Sequence, residues 1–130
     1  MTNSLILSVW QSGDIGPLPA LLAEDAIFSS PVADYRGRER AAHLLGVIAN
    51  VLETVDQTHQ WGDDRQALYA FTARFADQEL QGVLREELSE TGSLSHVTLF
   101  LRPYRALRAA IAEMARRLEI SPPPPESVQP

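Results

Sequence analysis

The sequence predicts an α+β domain in which helices flank an antiparallel sheet, and three observations carry that expectation. From Arg38 to Glu53, apolar residues Ala41, Leu44, Leu45, Ile48 and Leu52 recur at three- and four-residue spacing, the mark of a helix with one buried face. From Val55 to Arg102 the period becomes two, in four segments broken by short polar turns. From Tyr104 to Leu118 the helical period returns, with Leu107, Ile111, Met114 and Leu118 on one stripe. Strands that follow one another through short turns form a meander, and helices grouped on one face of it give the α+β class.

In chain order, Leu5 to Trp10 is an apolar leader that Gly13-Asp14 closes off. Pro17 stands at the start of a short helix over Leu18–Ala23, where its missing N–H costs nothing and its fixed φ is already helical. Ala26 to Phe28 is a brief strand that Ser29-Ser30-Pro31 ends, because proline cannot donate to a ladder and restricts Ser30 before it. Gly37 permits the turn into the Arg38–Glu53 helix. The four meander strands are Val55–Trp61, Gln66–Phe75, Glu79–Leu88 and Ser93–Arg102. Asp63-Asp64, Ala76-Asp77-Gln78 and Glu90-Thr91-Gly92 supply the turn chemistry between them. Pro103 ends the last strand. Arg105, Arg108, Glu113 and Arg116 fall off the apolar stripe of the closing helix, which is therefore amphipathic. Residues 1–119 form the domain. Residues 120–130, rich in proline, form a C-terminal tail that cannot continue a helix and is expected to be extended.

Composition narrows the function. A chain of 130 residues with 45% apolar content is large enough for a real core. The net charge of -6 argues against nucleic acid, whose phosphates need clustered Lys and Arg. The absence of Cys removes disulfides, thiol nucleophiles and thiolate metal sites. Three scattered histidines lack metal-ligand spacing, so neither metal nor cofactor is expected. No apolar run is long enough to span a bilayer and no basic region precedes the leader, so a cytoplasmic location without membrane contact is expected.

The stretch from Gly13 to Arg40 carries a family likeness. "GDI" at Gly13–Ile15, "AEDA" at Ala23–Ala26, "PV" at Pro31-Val32 and the Tyr35-to-Arg38 passage resemble the N-terminal half of the nuclear transport factor 2-like superfamily. That superfamily includes ketosteroid isomerase, the SnoaL-like polyketide cyclases and limonene epoxide hydrolase. Arg102-Pro103 through Leu107 resembles the end of many bacterial SnoaL-like sequences. The resemblance implies a cone: a curved sheet wrapped around a helix to leave an apolar cavity, the leader forming a first helix across its mouth. It also implies a homodimer through the outer sheet face, where His96, Thr98 and Phe100 would lie.

By register with the isomerases, strand parity sends Tyr69, Phe71, Ala73 and Phe75 inward, with Leu80, Gly82, Leu84, Glu86 and Leu88, then Val97, Leu99 and Leu101. On the first meander strand the inward set is Val55, Gln57, His59 and Trp61. The resemblance does not extend to the isomerase chemistry. Ketosteroid isomerases use an Asp base with an oxyanion hole of Tyr and protonated Asp. The base position is Ser30 here, the Tyr position is Ile6, and the oxyanion Asp position is Leu84, none of which can take over those tasks. Two readings follow. In the first, a small, mostly apolar carbonyl compound is bound by Trp10, Ser30, Tyr35, Trp61, Tyr69, Phe71, Leu84 and Leu101. It is then cyclised, isomerised or dehydrated by His59 and Glu86 as an acid–base pair. In the second, side chains fill the cone and the domain is a non-catalytic ligand-binding or dimerisation module. His43 is expected to be a helix-surface or packing residue.

Overall fold

A computed structural model describes residues 3–125. The last residues of the tail, 126–130, and the first two of the chain lie outside the described residues. The expected α+β class holds: a curved, unclosed six-stranded sheet carries four helices.

The chain enters as helix α1 (Leu5–Ser12), which Ser4 caps by accepting from the Leu7 amide at 2.9 Å. Gly13 ends it in the left-handed conformation, φ 77°, which a residue without a side chain adopts freely. A single helical turn, α2 (Leu18–Leu21), follows Pro17 and passes directly into strand β1 (Leu22–Ser29). The strand is thus longer than the Ala26–Phe28 core of the sequence expectation. Its first half, Ala23 to Asp25, is too polar to read as strand, and sheet pairing overrides local propensity there. A short strand, β2 (Asp34–Arg36), absent from the sequence expectation, returns along β1, pairing Ile27 with Arg36 and Ser29 with Asp34.

Helix α3 (Arg38–Val51) follows Gly37 and buries Ala41, Leu44, Leu45 and Ile48, the predicted face. The meander is β3 (Glu53–Gly62), β4 (Gln66–Phe75), β5 (Gln78–Leu88) and β6 (Leu94–Arg102), closed by helix α4 (Tyr104–Ile120). Strand order is β2-β1-β6-β5-β4-β3, with β1 parallel to β6 and every other neighbour antiparallel.

Parity places the inner face as predicted on β4, β5 and β6: Tyr69, Phe71, Ala73, Leu80, Leu84, Glu86, Val97 and Leu99 are buried. On β3 the expectation fails beyond Gln57. Gln57 pairs with Phe71 but His59 pairs with Ala70, so Thr58 is an extra residue, a bulge that reverses the alternation. Gln60, paired with Tyr69, takes the inner side. His59 and Trp61 are turned outward, stacked on each other with ring centroids 5.6 Å apart.

The deep end of the cone is full. Trp10 lies edge-on to Phe71 at 5.9 Å and donates its indole N–H to the Leu45 carbonyl at 3.0 Å. Phe71 in turn occupies the space over Gly82, where an added Cβ would come within 2.5 Å of its ring. The chain after α4 is strapped to α3. Arg40 donates to the Pro124 carbonyl at 3.1 Å, and the His43 ring nitrogen lies 2.8 Å from the Ser121 carbonyl. No described helix is long and apolar enough to cross a membrane.

Candidate functional site

With the deep cone packed, open space lies at its other end. An apolar cavity of about 190 Å³ separates α3 from α4. Leu44, Ile48 and Val51 form one wall, Leu107, Ile111, Met114 and Leu118 the facing one, and Leu99 and Leu101 of β6 the floor. The α4 stripe is therefore only half covered: Ala106 and Ala110 are buried, while the large residues beside them face a void. The rim is Ser30, Pro31, Val32 and Tyr35.

Two rim residues bring polar atoms. Ser30, in the position of the isomerase base, is committed to its own turn: its hydroxyl accepts from the Val32 and Ala33 amides at 3.1 Å each and donates to the Ala33 carbonyl at 3.1 Å. Tyr35 is pinned on both sides, its ring stacked on Phe28 at 6.2 Å with the Arg40 guanidinium 5.4 Å from its centroid. Arg40 thus joins the cavity rim to the strap that follows α4.

Glu86 is buried, as parity predicts, at 4% exposure. It faces the start of α1 and not the cavity. Its carboxylate accepts the Ser4 hydroxyl and the amides of Ile6 at 3.1 Å and Leu5 at 3.3 Å, while Gln57 accepts the Ser4 amide at 2.9 Å. The helix N-terminus leaves its first amides without internal partners and carries partial positive charge, so a carboxylate fits there. Burial pushes the Glu86 carboxyl above its ordinary range, and the Ser4, Ile6 and Leu5 hydrogen bonds pull against that shift. Burial likewise raises the neighbouring Tyr69 phenol, and the Glu86 charge adds to it.

The expected His59–Glu86 pair does not form. Glu86 is on the inner face and His59, through the bulge at Thr58, is on the outer one, so the sheet separates them. Trp61 is corrected with it: 52% exposed, it lines an outer depression with Leu68 and Phe100. Of the other residues expected to bind a ligand, Ser30, Tyr35 and Leu101 line the cavity. Trp10, Tyr69, Phe71 and Leu84 belong to the packed core behind it. The cavity wall contributed by α4 was visible in the sequence as an apolar stripe, but periodicity does not tell a stripe that meets a partner from one that faces space.

No protein-family model and no curated protein sequence matches the chain. Solved structures do. A conserved bacterial protein with a cystatin-like fold from Silicibacter pomeroyi DSS-3 superposes with a TM-score of 0.85 at 25% identity, over 89% of this chain and 84% of that one. A steroid delta-isomerase from Pseudomonas aeruginosa superposes with a TM-score of 0.82 at 26% identity, over 92% of this chain and 96% of the isomerase. An NTF2-like protein from Cytophaga hutchinsonii shares the fold at a TM-score of 0.64 and 10% identity, over 78% and 88% of the two chains.

Proposed function

The chain is a nuclear transport factor 2-like protein, and from that premise we propose that it is a binding protein for a small apolar molecule held between α3 and α4. The observation that carries the proposal is the half-covered apolar stripe of α4, with the Tyr35 rim as the polar edge of the cavity it faces. Apolar walls with few polar groups are the usual make-up of such sites. Size selects the ligand. An apolar cavity of about 150 Å³ holds a benzene, so about 190 Å³ takes one ring with a short substituent.

Acid–base turnover of the isomerase kind is not part of the proposal. Tyr35 is the ionisable residue among those lining the cavity, Ser30 is tied into its turn, and Glu86 serves α1. Calorimetric titration with short-chain alkylphenols tests the binding role. Binding by the native chain and loss of at least about tenfold in affinity in Ile111→Trp, whose indole would occupy the cavity, is the expected outcome. Equal affinity in the two proteins, or no binding to the native chain, overturns it.

A second observation supports assembly as a homodimer through the outer sheet face. Trp61, Leu68 and Phe100 stand 52%, 37% and 57% exposed on adjacent strands there, with Val83 between them. A contiguous apolar patch in the middle of a sheet face is typical of a surface that a partner covers.

A further inference from the structure

Past α4 the chain doubles back along α3, and its residues dictate how it is held there. The prolines at positions 122–125 have no backbone N–H, so the run offers hydrogen-bonding partners only its carbonyl oxygens. Helix α3 supplies the donors. Arg40 and His43 stand three residues apart and share one face of it. His43 Nε2 meets the Ser121 carbonyl at 2.8 Å, and Arg40 Nη1 donates to the Pro124 carbonyl at 3.1 Å. The run therefore passes toward the N-terminal end of α3, which Gly37 joins to β2 and its Tyr35. The first anchor lies beside both cavity walls, since Leu44 adjoins His43 and Leu118 lies in the turn of α4 before Ser121. The second anchor reaches the rim. The guanidinium that holds Pro124 is also the cation 5.4 Å from the centre of the Tyr35 ring, itself stacked on Phe28, and both aromatic residues line the cavity.

We propose that segment 121–125 is a latch on the α3–α4 cavity and that Arg40 is the positioning residue through which it acts on the rim. With Pro124 held, Tyr35 and the two helix walls stay closed; when the strap lifts, the mouth opens and passes a ligand. The inference rests on the reading of this cavity as a ligand site. Proline suits the task, because a run already extended loses little chain entropy when it is fastened. Two hydrogen bonds at the surface also let the strap open locally while the core stays folded. Such a latch sets rates and not affinity. Ligand enters and leaves through the same open form, so a change in its population multiplies both rate constants by one factor, which cancels in their ratio.

The test titrates the full-length native chain and three variants with 4-ethylphenol, taking entry rate, exit rate and Kd from the same NMR line shapes. Arg40→Met removes both contacts of the guanidinium. It is expected to raise both rates roughly tenfold or more, the effect of losing a charge-assisted hydrogen bond on an opening equilibrium, with Kd within about threefold of native. Arg40→Lys, which keeps a cation for Tyr35 and a donor for Pro124, falls between the two. His43→Ala loosens the strap at its other anchor, outside the cavity lining, and raises both rates in the same way. Thermal melting establishes that each variant is folded. Native rates in Arg40→Met, a change carried by one rate alone, or an effect of Arg40→Met that His43→Ala does not share overturns the latch and leaves the cavity reading standing. A native chain that binds no 4-ethylphenol overturns that reading and the latch with it.

Discussion

Glu86 shows how a residue that sequence analysis marks for chemistry can be spent on structure. It stands among the buried residues of the inner face, yet its partners are the Ser4 hydroxyl and the first amides of α1. Replacing it by Ala leaves those donors buried without an acceptor, which is expected to lower stability by about 1–3 kcal/mol in denaturant unfolding. Its pH behaviour has a definite sign. The folded-state value is raised, so the native state holds the proton more tightly than the unfolded chain. The stabilisation from that proton is complete below the unfolded value and disappears as pH rises through the folded one. Urea titrations from pH 4 upward should therefore show a fall in stability that Glu86→Gln flattens. The inward direction of Glu86 was legible from β5 alternation. Its role was not, because Ser4 lies 82 positions away and hydrogen bonds to a helix end leave no period in the sequence.

Among the elements, strands were legible to within about two residues wherever alternation ran unbroken, as on β4, β5 and β6. β3 was legible only as far as Gln57, since a bulge adds one residue without any change in composition. β2 was missed because three residues are too few to establish a period. The β4–β5 connection is an element whose residues do not match its shape. Ala76 and Asp77 both take positive φ, 48° and 67°, in a two-residue hairpin turn that asparagine and glycine fit better. Alanine has no local hydrogen bond to offset the left-handed conformation, which costs roughly 1 kcal/mol. The double substitution Ala76→Asn with Asp77→Gly should raise stability by about 1 kcal/mol and shift the thermal midpoint upward. An unchanged or lower midpoint would overturn the assignment of backbone strain to this turn, since the Arg74 bond to the residue-77 main-chain carbonyl at 3.1 Å is available to both sequences.

At the scale of the whole molecule, the two sides of the sheet divide the work: the inner side packs the cone and floors the cavity, and the outer side carries the apolar patch. Dimerisation through the patch predicts that Phe100→Glu, which puts a charge where an apolar contact would close, shifts light-scattering mass from dimer to monomer while the melting curve keeps its cooperativity. A native chain that is monomeric at all concentrations removes the dimer and leaves the cavity proposal standing. The fold class and its family resemblance were legible from turn residues and periodicity together, whereas the cavity was not, because empty space has no residue of its own. The bulge at Thr58 has a consequence for how such a domain changes over time. Parity is a binary quantity, so gaining or losing one residue in β3 exchanges what the lumen and the exterior present, moving a histidine and a tryptophan across the sheet with no substitution at either. In a scaffold whose chemistry is decided by which side chains reach the lumen, a single-codon insertion or deletion can alter the active inventory more than many point mutations.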